Sequence, residues 1–359
     1  MRRRPPRARP SGARLAALLL LATLLAGCAS SAPGSAGAGA GAGALSVQGA
    51  ERVLAAVMAT NNRANASLDT KLLASYETGS AFAIDAAQYQ ASRLAHASDS
   101  LPFGVVPLQT VVSGSGTPER FLVVGRTVLS RRVPKSQLGA CPNDDTLLLF
   151  EHSAPGDRWR IALEPSADAG RFAELAASRD GTASVVPAAL EKATDELPGR
   201  VAAALVRFEA SGRLGSLRPS DFNGACWAVP NPRLAVQQAE QAGFDARELF
   251  APVGPSVTFA LADGGGLALF ALRFVETIVA PVSSAIAWHH DSQVITSSLL
   301  PAGRYSRVTE TGEVEIAALV GSSGTYGLAG AYSGTTSITG TKAKAPLPGG
   351  PGTLLSAGG

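Results

Sequence analysis

Three cysteines and four histidines are the first places to look for chemistry in this chain. His96, His152, His289 and His290 have no partner at ligand spacing such as i and i+4, so no metal site is expected. His289-His290 lies in a strand-like run, which sends the two rings to opposite faces. There is no Gly-x-Ser-x-Gly elbow, no glycine loop ahead of a lysine and no credible Ser-x-x-Lys motif, so neither a catalytic nucleophile nor a cofactor is expected. Asp85 suits the opening of a helix, where a carboxylate caps free N–H groups. His152 falls at a strand end beside Ser153. Tyr76, Tyr89, Trp159, Trp227 and Trp288 could line a pocket, and each equally suits a core.

The first of the cysteines sits behind a leader. Residues 1–14 hold six arginines and no acid, and Leu15–Ala26 is apolar except for Thr23. A basic start, a short apolar run and a small-residue exit make a secretory signal. The run is shorter than the roughly 20 residues a membrane span needs. Leu25-Ala26-Gly27-Cys28 resembles the lipobox of bacterial lipoproteins, here of actinobacterial type. That resemblance implies removal of residues 1–27 and a diacylglyceryl group on the Cys28 thiol. The protein would then sit on the extracytoplasmic face of the cell membrane, anchored by lipid. Two acyl chains, at about 0.8 kcal/mol per buried methylene, hold where one does not. Arg2-Arg3-Arg4 hints at twin-arginine export, but Pro5 and Pro6 follow it and favour the general route.

With Cys28 acylated, Cys141 and Cys226 remain, and outside the cytoplasm an even pair suggests a disulfide. It would close a loop of about 85 residues, worth roughly 4–5 kcal/mol in the loop-entropy account.

The whole chain carries +3, but loss of residues 1–27 leaves 25 basic against 28 acidic residues. A balance of −3 on the mature chain removes the composition-level case for nucleic acid, which needs a basic face. Arginine, alanine and glycine crowd out lysine, a bias expected of a GC-rich genome.

Residues 28–45 begin with the cysteine that would bear the lipid and continue through Ala44 as Ser, Ala, Gly and Pro only, a flexible tether. Val53, Leu54, Val57 and Met58 recur at helical spacing, as do Leu68, Leu72, Leu73 and Tyr76, with Gly79 as a stop. Gly79–Ile84 is expected as a short strand and Asp85–Leu94 as a third helix. Residues 105–112, 121–129, 146–152 and 158–164 are β-rich. Helices followed by a long meander, closing with the hairpin Phe150–Glu164, resemble the cystatin-like cone of nuclear-transport-factor-2-like domains, in which a curved sheet wraps a helix. After a linker at 167–187 the order repeats. Helices around 201–208 and 234–242 precede strand-like runs at 257–262, 267–274, 285–289, 294–299, 314–320 and 326–332.

The expected fold is therefore α+β. It has two tandem cone-like domains, 46–166 and 188–338, each with helices on a curved antiparallel sheet, and a disordered tail at 339–359. The expected function is a non-catalytic lipoprotein that binds a protein partner or a small apolar ligand. The alternative is an extracytoplasmic acid–base enzyme, of isomerase or cyclase kind, using a cone cavity; the cone resemblance implies an Asp and a His inside it, for which Asp85 and His152 are the nearest candidates.

Overall fold

A computed structural model describes residues 45–97, 102–113, 119–129, 145–152, 154, 157–167, 170, 175–222, 227–282, 284–290, 295–344 and 354–355. Cys28, Cys141 and Cys226 lie outside these, and with them the acylation and disulfide expectations.

Helix α1 (Val47–Ser67) starts where the Ser46 hydroxyl accepts the Gly49 N–H at 3.1 Å, and it ends at Leu68 in the left-handed region. Leu54, Val57, Met58, Asn61 and Ala64 form its buried stripe. Asn62 grips the start of β1 with both ends of its amide, donating to Phe103 O at 2.7 Å and accepting Phe103 N–H at 3.0 Å. Helix α2 (Thr70–Leu73) is capped by Asp69. Helix α3 (Gly79–Leu94) takes in the stretch expected as a strand. Ala81, Ile84, Ala87 and Ala91 recur at helical spacing and are buried, a stronger signal than the short apolar run. Only Glu77 keeps strand character, through a single bridge to Ile161.

Strands β1 (Phe103–Val112), β2 (Glu119–Leu129) and β3 (Asp145–His152) then pair antiparallel. β4 (Arg160–Leu163) and β5 (Ser166–Ala167) both pair with β3 and are separated by Glu164-Pro165. Pro165 has no N–H to give the ladder, but its carbonyl still accepts Leu147 N–H at 3.0 Å.

The second half opens with α4 (Ala188–Asp195), α5 (Leu197–Ser211) and α6 (Pro232–Gln241). Pro198 in the first turn of α5 and Gly212 at φ +68° after its last follow the usual helix asymmetry. Strands β6 (Asp245–Ala260), β7 (Gly266–Val279), β8 (Ile286–Trp288), β9 (Gly303–Val320) and β10 (Tyr326–Lys342) complete it, with β11 (Leu354–Leu355) parallel to β8. Thus β10 runs into the segment expected as tail, which also carries β11. Residues 295–299, expected as a strand, form a 3-10 turn.

All these strands belong to one 11-stranded sheet in the order β1-β2-β3-β5-β10-β9-β7-β6, with β4 on β3, β8 on β9 and β11 on β8. The described part of the chain is α+β and lies within one compact unit, Ala42–Gly359. The order is palindromic: each half lays its first strand at an edge and works inward to β5.

Four apolar cores follow from the period-2 pattern of the strands, one of them around Phe244, Trp288, Tyr305, Val308 and Ile338. Helices α1–α3 cover Phe121, Val123, Leu148, Phe150 and Ile161. Helices α4 and α5 cover Phe270, Leu272, Val314, Ile316 and Ala318. The intervening positions meet in a core shared by both halves, in which Leu122, Val124, Leu147 and Leu149 pack with Phe259, Leu267, Leu269 and Ala317. The segment expected as a linker is stitched to both. Leu175 bridges Leu261 and is held at its N–H and carbonyl by the Gln109 amide at 3.1 and 3.0 Å, and Thr182 bridges Val112.

Gly312 on β9 has no room for a side chain. A Cβ there would stand 2.1 Å from Phe274 and 2.6 Å from Gly334 O. The backbone carbonyl cannot rotate away as a side-chain tip could, so Gly312→Ala is expected to cost about 1–3 kcal/mol. An unchanged urea midpoint for that variant would contradict this packing.

Candidate functional site

Two groups of carboxylates have no basic partner among the described residues. The first gathers side chains from four elements. Glu77 precedes α3, Asp85 lies in its second turn, Glu164 sits at the β4–β5 break and Glu315 is on β9. Glu315 Oε2 accepts the Glu164 N–H at 2.5 Å, and Tyr332 Oη donates to Asp85 at 3.0 Å. Tyr76 Oη donates to Asn61 at 3.2 Å, and Tyr89 Oη donates to Asn65. Glu77 and Glu315 are 2% and 0% exposed, yet Glu77 Oε2 and Glu315 Oε1 have no hydrogen-bond partner. Neither does the Ser80 hydroxyl, although it lies near enough to ease ionisation of Glu315.

Burial sets the protonation of this group. It lifts Glu77 to about 10, with the Asp85 and Glu315 charges adding to the effect. It lifts Glu315 to about 8 against the Glu164 N–H bond, and Glu164 well above the ordinary range. Asp85 rises only to about 6, because Tyr332 holds its charged form. Tyr76, Tyr89 and Tyr332 are all pushed upward, chiefly by burial, and stay neutral donors.

The second group is a row. Glu248 on β6 pairs directly with Glu276 on β7, which pairs directly with Glu310 on β9. Direct cross-strand partners share a face, so three carboxylates line up at strand spacing, about 4.8 Å. The rows two residues to either side are apolar: Phe250, Phe274 and Gly312 on one, Ala246, Ile278 and Val308 on the other. These belong to separate cores, and the acidic row divides them. Glu248 is 3% exposed with Oε2 unpartnered, while Glu276 and Glu310 are half-buried. Thr335 Oγ1 donates to Glu310 at 2.5 Å. Burial raises Glu248 to about 8, with the charges of Glu276, Glu310 and Glu209 on α5 behind it. Burial and Glu310 raise Glu276 to about 7, and burial raises Glu310 despite Thr335.

Elsewhere the fold does pair its buried acids. Asp145 meets Arg126 at 3.2 Å and Glu313 meets Arg273 at 2.8 Å, the latter on the opposite face of β7 and β9 from the row. No lysine or arginine is among the groups that set the protonation of the seven unpaired carboxyls among the described residues.

The residues singled out from sequence have dispersed roles. Asp85 is no helix cap; it is inside α3 and belongs to the first acidic group. His152 stacks on Trp159 with centroids 5.0 Å apart, donates to Asp157 O at 2.9 Å and faces Glu119 at 3.5 Å, so it shares no partner with Asp85. His96, His289 and His290 are exposed. Trp227 and Trp288 are core residues, the latter donating to Ser297 O at 2.9 Å. Among the described residues no three His, Cys, Asp or Glu side chains converge as metal ligands, and no helix is long and apolar enough to cross a membrane.

Glu248, Glu276 and Glu310 escaped the sequence reading because β6, β7 and β9 were expected to stop short of them. The available signal was parity: each acid occupies an inward position of a period-2 pattern, two residues from Phe250, Phe274 or Val308.

Residues 41–340 match the family described as Domain of unknown function (DUF8094). The chain belongs to the DUF8094 family. The match runs without interruption across both halves, so all seven unpaired carboxyls lie inside the DUF8094 region. No curated protein matches the chain.

Carboxyls lifted by folding carry protons in the folded state that the unfolded chain releases near pH 4.5. That linkage favours the folded state below about 4.5 and is lost as pH climbs toward 8 for Glu315 and Glu248 and toward 10 for Glu77. Stability should therefore peak in mildly acidic buffer and fall toward pH 9. Glu315→Gln keeps an oxygen for the Glu164 N–H and removes the charge. It should be more stable than the parent at pH 9, by on the order of 1–3 kcal/mol, with little difference at pH 5. Denaturant titrations at the two pH values measure this, and a parent protein more stable at pH 9 than at pH 5 would reverse the argument.

Proposed function

We propose that this protein is a lipid-anchored, extracytoplasmic binding protein without catalytic activity. One observation carries the binding part: a half-open row of three carboxylates, without basic partners, between two apolar walls. A fold that pairs Asp145 and Glu313 with arginines has the means to neutralise buried acid. Leaving Glu248 unpaired costs stability, and a site that receives its counter-charge from a ligand accounts for that cost.

The location rests on the leader and on Leu25-Ala26-Gly27-Cys28, with a Cys141–Cys226 disulfide following from an oxidising compartment. The palindromic strand order, helices first in each half, supports two tandem cones joined through β5 and a shared core. The acid–base reading needs Asp85 and His152 to act together. Their separate partners, Tyr332 for one and Asp157 with Glu119 for the other, weigh against it.

Fractionation of the native host tests the anchor. The wild type should pellet with membranes at the mass of a cleaved, diacylated chain, and Cys28→Ser should keep its leader or leave the membrane. Native mass spectrometry of the detergent-extracted protein tests binding, with a retained partner or small molecule as the expected result. Apo protein from every extraction would remove the binding reading.

A further inference from the structure

We propose that Glu248, Glu276 and Glu310 bind an aliphatic di- or polyammonium ligand laid across β6, β7 and β9. This rests on the binding-protein reading and names the ligand's class. The shape of the row decides between cations. Carboxylates on three neighbouring strands of one sheet face stand in a line spanning two strand spacings, roughly 10 Å. They do not converge on a point, and the described acids form no metal-ligand group. A single small ion would satisfy one or two of them and leave the rest repelling one another. A chain of ammonium groups joined by short methylene spacers repeats charge along a line, as the row does.

The flanks fit the spacers. Phe250 and Phe274, with centroids 6.3 Å apart, bound the row on one side. The Phe274 ring occupies the space that a side chain at Gly312 would fill, so it lies low over β9 beside the acids. Ala246, Ile278 and Val308 bound the other side. Methylenes between two such walls leave water as they bind, and a ring face beside a cation adds electrostatic attraction.

The second, independent mark of a ligand is Glu248. Its side chain is almost wholly buried, strand register puts it on the same sheet face as Glu276 and Glu310, and its Oε2 has no donor. Glu310 already spends one oxygen on Thr335, whereas Glu276, half-buried in the middle, keeps the row open to solvent. Glu209 on α5 adds a further negative charge and is one of those acting on Glu248.

Calorimetry on the full detergent-extracted protein at pH 8 tests this with spermidine as the probe, and with butylamine and magnesium chloride at matched ionic strength as controls. Spermidine should bind saturably at one site per chain, with butylamine and magnesium at least about tenfold weaker. Glu276→Gln should bind spermidine at least about tenfold more weakly, the loss of one charge-assisted hydrogen bond. The same variant should unfold at a higher temperature, since it also relieves repulsion. Glu310→Gln provides a second variant with the same expected pair of changes, and circular dichroism establishes that both are folded. Weaker binding joined to greater stability marks a ligand-directed acid; a structural acid would lose both. No saturable heat with folded wild type, equal affinity for magnesium, or unchanged spermidine affinity in both variants overturns the assignment. If the host-extracted protein retains some other molecule while spermidine fails to bind, only the ligand class falls. If nothing is retained and spermidine fails, the binding reading falls with it.

Discussion

The apolar contact between the two strand sets is what the rest of the molecule hangs on. Leu122, Leu147 and Leu149 from one half and Phe259, Leu267 and Leu269 from the other are all but removed from water in the shared core. Neither set can keep that face dry alone, because its helices cover the opposite one. At roughly 25 cal/mol per Å² of apolar surface, separating the halves would expose two sheet faces at once. The continuous ladder through β5 and the clamp of Gln109 on Leu175 hold the two sets in register for that contact. Both halves consequently belong to one cooperative body, whatever their ancestry.

Once those faces are committed to one another, acidic side chains on the strands have few places to go. Asp145 and Glu313 are answered by arginines. Glu315 and Glu77 are enclosed beside the half-buried Asp85 and Glu164, where burial keeps much of the group protonated at neutral pH. Glu248, Glu276 and Glu310 occur where the cover of α5 ends and the cluster around Trp288, Tyr305 and Ile338 has yet to begin. A gap between two apolar clusters on one sheet face is where a strand can carry charge and still be sheltered. Such a place has low polarity, which strengthens any interaction with a cation and makes the empty site costly.

Much of the fold was open to reading from the residues. The α+β class, the helix stripe of Leu54, Val57 and Met58, the helix around 201–208 and the upper halves of the strands all follow from side-chain period. The α3 start was misplaced because Gly79 reads as a stop, although Ala81, Ile84, Ala87 and Ala91 already align on one helical face. The long strands were cut short for a subtler reason. Arg247-Glu248, Glu276-Thr277 and Thr309-Glu310 look like the ends of strands to a rule that rewards apolar alternation, and they are strand interiors. The site and the misreading thus have the same cause: polar residues at inward positions.

Taken alone, the sequence determined the helical stripes and the strand interiors of regular period, and it carries the basic, apolar and Cys28 pattern on which the proposed export and acylation rest. Those are local matters, governed by side-chain period, capping and the order of charge and apolarity along a few dozen residues. The joining of all strands into one sheet, the sharing of a core and the alignment of Glu248, Glu276 and Glu310 were decided only by tertiary structure. Register between strands 28 to 34 positions apart depends on which faces can be buried together. That choice is made by the whole molecule's exclusion of water, and no stretch of the chain records it by itself.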